Sequence, residues 1–440
     1  MKYNERIQNV SVLGAGGKMG SGILLLTAME MAKQMLTEGK VNTYTLNAID
    51  TSEDNLRELL KYVETQTTKS AEKNIDQIRE WYGKTENDNN LIKSYTDDVL
   101  SIIKTTTNIE DAYNSSLIFE VVSENQALKE KLFKQINENS KVEPWFFTNT
   151  SSMPIHVLNE GANMKGRILG FHFYNPPAVQ KLVELITIPE NTAEMIDFAK
   201  QYARNLKKIV VSSNDIAGFI GNGHFMRDAL YAIAQAEKLS SQMPMHEAIY
   251  TMDKVIREYL ARPMGMFQLI DYVGLDVVQF ILRVMQPYMP NENLHSDLLD
   301  QLILSGIKGG QYGDGSPKDG FFKYENGKPV AVLDIKAKHY IPFADFKANS
   351  DAWLGEMPTE VKPWKEIMKA ENRNNLLEAH FEAIKKSSAK GAQLALDYAG
   401  NAKKIGLNLF NNKVAHTQED VNTVMLTGFF HAYGPINAYV

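Results

Sequence analysis

The chain has no cysteine. Disulfides, thiolate catalysis and cysteine-type zinc sites are therefore excluded, and no metal site is expected. No apolar run approaches the roughly 20 residues needed to cross a bilayer. The opening MKYNERIQNV carries no apolar leader core, so a cytoplasmic protein without membrane insertion is expected. Positive charge is not in excess either. The net charge of −6 removes the electrostatic case for a nucleic-acid partner. What is present, 44% hydrophobic and 23% charged residues, is ordinary for a globular protein. At 440 residues the chain exceeds one typical core and should hold two or three domains.

The first pattern is a strand over Val10 to Leu13 that runs into Gly14-Ala15-Gly16-Gly17-Lys18-Met19-Gly20-Ser21-Gly22, followed by a helix to about Thr37. Glycines at a strand-to-helix turn let the backbone approach a pyrophosphate, which the helix N-terminal amides then bind. A second strand, Tyr44 to Ile49, ends in Asp50. A carboxylate there can accept hydrogen bonds from ribose hydroxyls and repel a 2′-phosphate, favouring NAD over NADP. It can equally cap the helix that starts near Ser52, and the two roles are compatible. Residues 56–100 are polar, helical in pattern and rich in Lys and Glu, as in a solvated helical hairpin.

Three short apolar runs follow, at Trp145-Phe146-Phe147, Ile168-Leu169-Gly170-Phe171 and Leu182-Val183. Runs of this kind between turn residues suit buried strands. Beside them stand Asn149-Thr150-Ser151-Ser152, then His172-Phe173-Tyr174-Asn175-Pro176-Pro177, then Glu184. A hydroxyl, an imidazole and a carboxylate thus sit at or just beyond strand ends, the edge where open α/β sheets keep their ligands. Taken singly, a His between aromatics is commonly a packed core residue, and a Ser pair a turn or cap.

The joint pattern resembles the 3-hydroxyacyl-CoA dehydrogenase family. Further segments carry the resemblance: Phe119-Glu120-Val121-Val122-Ser123-Glu124-Asn125 with Lys129; Asp215-Ile216-Ala217-Gly218-Phe219-Ile220-Gly221-Asn222; Arg262 through Asp276; and Gly309 through Tyr324. The resemblance implies an α/β Rossmann-type doubly wound sheet followed by all-α domains, with NAD as cofactor and an acyl-CoA as substrate. His172 would be the general base, with Glu184 fixing its ring. Ser151 and Asn222 would bind the hydroxyl or the thioester carbonyl. Glu124 would lie near the nicotinamide ribose and Lys129 near cofactor and substrate, while the polar excursion helps hold the CoA nucleotide. The glycine loop is one residue longer than the family's: Gly14 and Gly16 match from the left, and Gly17, Met19 and Gly20 from the right. Ala217, Met266 and Gln268 stand where the family has Pro, Pro and Glu.

The expected division is an NAD-binding domain over 1–212, a helical domain over 213–324, a linker over 325–375 and a second, decayed helical copy over 376–440. That copy rests on Asp420-Val421-Asn422-Thr423-Val424-Met425 through Tyr433-Gly434-Pro435-Ile436-Asn437-Ala438, which lines up with Tyr250 to Val255 through Met264 to Leu269. Because single-copy relatives dimerise through the helical domain, a copy in cis implies a monomer. A separate hydratase or thiolase partner is compatible with the resemblance, but no residue points to one. Two other functions compete: the same fold oxidising another 3-hydroxy substrate such as a sugar acid, and a non-catalytic NAD-binding protein.

Overall fold

The structure, a computed structural model, describes residues 2–39, 43–83, 87–313 and 315–440. Residues 84–86 of the polar excursion and Asp314 of the Gly309–Tyr324 segment lie outside the described residues. The chain forms two compact units, Met1–Asp215 and Ile216–Val440.

The first unit is built on eight strands: β1 (Asn9–Leu13), β2 (Thr45–Ile49), β3 (Ile103–Thr106), β4 (Leu117–Glu120), β5 (Trp145–Thr148), β6 (Ile168–Phe173), β7 (Leu182–Thr187) and β8 (Ile209–Asn214). Their order across the sheet is β3-β2-β1-β4-β5-β6-β7-β8. Strands β1 to β6 are parallel, β7 reverses against β6, and β8 follows β7. Strands covered on both faces read as continuous apolar runs; β4 and β5 are buried at every position, and so is β6. Phe119, Phe147 and Phe171 on these three strands form one layer, Phe147 stacked on Phe171 at 5.3 Å between centroids and edge-on to Phe119 at 5.6 Å. This layer fixes the heights of the polar residues that follow it on each strand.

The helix Lys18–Glu38 crosses from β1 to β2 and stops at Gly39, whose φ of +66° suits a left-handed cap. The polar excursion folds as three helices, Glu53–Lys73, Ile75–Tyr82 and Asp88–Ser101. Each turns a narrow apolar stripe inward, including Leu59, Val63, Ile78, Tyr95 and Val99.

The second unit is mainly helical. Its helices Gly221–Leu239, Met245–Lys254, Met266–Val273, Leu275–Met285 and Asp297–Leu304 precede the stretch expected to be a linker. That stretch is folded instead. It carries an antiparallel sheet of β9 (Phe322–Glu325), β10 (Lys328–Asp334) and β11 (His339–Pro342), then the helices Phe343–Leu354 and Trp364–Lys369. Asn326 and Gly327 join β9 to β10 with φ of 51° and 72°, the backbone of a two-residue hairpin turn that Asn-Gly favours. Buried Asp271 clamps this sheet to the helix Met266–Val273, accepting from Phe321 N (2.6 Å), Phe322 N (2.9 Å) and the Tyr324 hydroxyl (3.0 Å).

Residues expected as two separate helical domains share one core. Asp228 on Gly221–Leu239 pairs with Arg262 at 2.7 Å, both buried, and the Tyr398 hydroxyl of Lys390–Asn411 donates to the Asp228 carbonyl at 3.1 Å. The segments aligned as a repeat use one device twice. Gln268 N donates to Asp253 Oδ1 at 3.1 Å, and Ile436 N donates to Asn422 Oδ1 at 3.0 Å. Gly265 packs on the Asp253 side chain and Gly434 on that of Asn422. Asn422, rather than Thr423, thus stands where Asp253 stands.

A buried charge that loses its partner is costly. Arg262→Met is expected to lower the stability of the second unit by roughly 3–5 kcal/mol, read by urea unfolding, with most of the loss recovered on adding Asp228→Leu.

Candidate active site

The C-terminal edge of the sheet gathers most of the candidate residues. At the end of β1, Gly14 has φ +78° and a Cβ there would stand 2.7 Å from the Val121 carbonyl oxygen; a Cβ on Gly20 would collide with the Gly14 carbonyl. These two positions tolerate only glycine. Gly16 is also closed in, 2.5 Å from the Asn55 Cβ, whereas Gly17 meets nothing nearer than 3.3 Å. Gly17 is the N-cap of the crossover helix. Met19, half-buried, packs against the core of the unit.

Asp50 ties this loop to the next one. Its Oδ2 accepts Gly16 N at 2.9 Å and its Oδ1 accepts Ser52 N at 3.1 Å. The helix cap is Ser52, which accepts Asn55 N at 3.2 Å, so Asp50 is not the cap. Each carboxylate oxygen keeps a second lone pair with which a ribose diol could bond.

Between β4 and β5 lies a buried charge network. Glu120 accepts Lys129 Nζ at 2.7 Å, Val122 N at 2.8 Å and the Thr148 hydroxyl at 2.5 Å. Lys129 reaches Glu124 Oε2 at 3.1 Å as well. Glu124 Oε1 accepts the Thr150 hydroxyl, Ser151 N at 3.2 Å and the Ser152 hydroxyl at 3.2 Å. Burial works to raise the Glu124 carboxyl, but the Lys129 ammonium and these donors outweigh it and hold the carboxyl below its usual range. Lys129, expected beside cofactor and substrate, is 1% exposed and engaged with two carboxylates. Its ammonium holds Glu124 in place.

His172 and Glu184 face each other directly. They are register partners across the antiparallel pair β6–β7, with His172 Nδ1 3.0 Å from Glu184 Oε2. His172 is 8% exposed and Glu184 fully buried. A ring that donates from Nδ1 to a carboxylate carries its lone pair on Nε2, the arrangement a general base needs. Asn149 Oδ1 accepts Phe173 N at 2.8 Å and ties the end of β5, with Ser151 just beyond it, to the end of β6. Asn222 belongs to the other unit, at the second position of Gly221–Leu239. The turn before that helix includes Gly218 and Phe219, both at positive φ, so the helix begins only at Gly221.

One residue of this cluster went unassigned. The Tyr174 hydroxyl donates to the same Glu184 Oε2 at 2.8 Å, and its ring lies 4.8 Å from the His172 ring. The signal was present in the two-residue strand period, which puts His172 and Tyr174 on one face. Glu120 likewise escaped notice, as an acid closing an apolar strand.

Two family models match the chain: 3-hydroxyacyl-CoA dehydrogenase, NAD binding domain, over residues 9–216, and 3-hydroxyacyl-CoA dehydrogenase, C-terminal domain, over residues 218–319. The mitochondrial hydroxyacyl-coenzyme A dehydrogenase of Homo sapiens is 30% identical over 324 residues, 72% of this chain and 92% of that one. The chain belongs to the 3-hydroxyacyl-CoA dehydrogenase family. A probable 3-hydroxybutyryl-CoA dehydrogenase of Bacillus subtilis is 30% identical over 328 residues, covering 72% of this chain and 98% of its own. Among solved structures, FadB2 of M. tuberculosis shares 26% identity with a TM-score of 0.56 over 72% of this chain and 99% of that chain. The 3-hydroxybutyryl-CoA dehydrogenase of Escherichia coli K12 has the same fold, with a TM-score of 0.65 at 18% identity over 98% of this chain and 90% of that chain. That fold likeness therefore continues past residue 319, where the second family model stops. The first unit of this family member is an NAD-binding domain, and the cradle at Gly14, Gly20 and Asp50 fits a dinucleotide.

Asp50→Ser removes the charge that would repel a 2′-phosphate and two backbone hydrogen bonds. It is expected to reduce the preference for NAD over NADP by about 10- to 100-fold, the scale of one charged hydrogen bond. Comparing kcat/KM with the two cofactors measures it, and an unchanged ratio would limit Asp50 to tying the loops together.

Proposed function

We propose that this protein interconverts an (S)-3-hydroxyacyl-CoA and the 3-ketoacyl-CoA. The observation that carries the reading is the in-register His172–Glu184 pair at the ligand-binding edge of an NAD-binding sheet. Bound NAD supplies the hydride acceptor. In oxidation His172 Nε2 takes the proton from the C3 hydroxyl, and Glu184 stabilises the imidazolium as a carboxylate does in a catalytic triad. In reduction the same nitrogen returns the proton. Ser151 and Asn222 orient the hydroxyl or the thioester carbonyl. The names of the Homo sapiens and Bacillus subtilis relatives support a CoA thioester as substrate, and the three-helix excursion over residues 53–101 offers a place for its nucleotide. A sugar-acid substrate would leave that excursion without a role.

His172→Ala is expected to lower turnover of acetoacetyl-CoA with NADH by about 10²- to 10⁴-fold while NADH affinity stays within twofold or so. Near-normal turnover would remove His172 from the base role.

The protein works, in this reading, as a monomer in which residues 376–440 are a second copy of the helical segment. Support comes from the duplicated Asp253 and Asn422 clamps and from Tyr398, which binds the helix Gly221–Leu239 within one chain. A face that a single-copy chain would offer to another subunit is covered from within. Light scattering should give a mass near 49.6 kDa; about twice that at low concentration would refute the monomer.

A further inference from the structure

Glu184 Oε2 accepts two hydrogen bonds, one from His172 Nδ1 at 3.0 Å and one from the Tyr174 hydroxyl at 2.8 Å. Both donors come from a single strand and its first following residue, two positions apart, so they project to the same face and meet the same oxygen. The two rings also touch, 4.8 Å apart and inclined by 42°. The carboxylate they share is fully buried. In such surroundings each donor changes how strongly the oxygen attracts the other.

Resting on the proposed function, we infer that Tyr174 is a positioning residue for catalysis, its hydroxyl holding Glu184 and limiting how strongly that carboxylate draws a proton onto His172. A carboxylate with two donors on one oxygen is a weaker base than one with a single donor. An imidazole beside it releases its proton more readily, which a base that must return to its neutral form in every oxidative turnover requires. The donor is dependable: burial and the neighbouring Glu184 push the Tyr174 hydroxyl well above its ordinary range, so it keeps its proton over the working range. The strands alongside bring no competing charge. Neither β5 (Trp145–Thr148) nor β8 (Ile209–Asn214) contains a titratable side chain. Lys208, at the foot of β8, directs its ammonium to the carbonyls of Pro177 and Gln180, both at 2.6 Å.

The test is Tyr174→Phe in the full-length protein, with the pH dependence of kcat/KM followed in both directions. With one donor gone, Glu184 holds the imidazolium more tightly, so the imidazole stays protonated to higher pH. Oxidation requires the neutral ring, and its acid limb should move up by about half to one pH unit, the scale of one hydrogen bond to a carboxylate. Reduction requires the protonated ring, and its alkaline limb should move up by the same amount. The KM for NAD should stay within about twofold. Proton NMR titration of the His172 ring, assigned with His172→Asn, gives the same comparison without turnover and serves if the variant is poorly active. An unmoved limb and an unmoved titration overturn the inference, whether or not turnover falls. If His172→Ala also keeps near-normal turnover, the proposed function falls and this inference with it; if His172→Ala is inactive while Tyr174→Phe leaves both curves in place, only the role of Tyr174 is lost.

Discussion

The reversal of β7 against β6 is the constraint on which the site depends. A parallel neighbour would need a crossover to return to the same edge of the sheet. The antiparallel return instead brings Glu184 opposite His172 after only the short segment from Tyr174 to Lys181. Backbone pairing then sets the separation of acid and base, and side-chain rotamers only complete it. This matters because Glu184 is fully buried. An unpaired carboxylate there would be strongly disfavoured, so the imidazole and the phenol are as necessary to the carboxylate as it is to them.

A second buried arrangement does comparable work between β4 and β5. Lys129 lies between Glu120 and Glu124, and Glu124 in turn gathers Thr150, Ser151 and Ser152. One ammonium with two carboxylates leaves the group net negative, and five donors from hydroxyls and backbone amides take up most of the remaining acceptor capacity. The loop after β5 is therefore held by electrostatics from beneath. Together with Asn149, which grips the backbone of Phe173, this gives Ser151 and His172 a common foundation although they sit on different strands.

Much of this was legible in the residues, and what was not has definite causes. Short apolar runs gave β1, β2, β5 and β6 nearly to the residue, because strands buried on both faces are mostly apolar, with Ser11 and Asn47 as buried polar exceptions in β1 and β2. The polar groups at their ends were legible for the same reason. Strand direction was not, since periodicity is blind to it, and so the reason Glu184 meets His172 could not be read. The burial of Lys129 was not legible because lysine is almost never fully buried unless paired, and its partners are Glu120 at the end of β4 and Glu124 in the loop that follows. The stretch over 325–375 was read as a linker on composition, its prolines, lysines and glutamates, although Asn326-Gly327 between alternating residues was a hairpin signal in plain view.

The two clamps in the second unit separate what such a turn needs from what chemistry needs. Asp253 is buried with its carboxyl raised by that burial, and Gln268 donates to it through both backbone and side chain. A glutamate at 268 would set two acids against each other there. In the later segment Asn422 does the same job with no charge, accepting Ile436 N and donating to the Ile436 carbonyl at 2.8 Å. Both versions close a turn whose glycine, Gly265 or Gly434, leaves room for the clamping side chain. Charge is dispensable to the turn, whereas a polar group of that size next to glycine is not. The later segment shares with the earlier one the clamping side chain and the glycine beneath it.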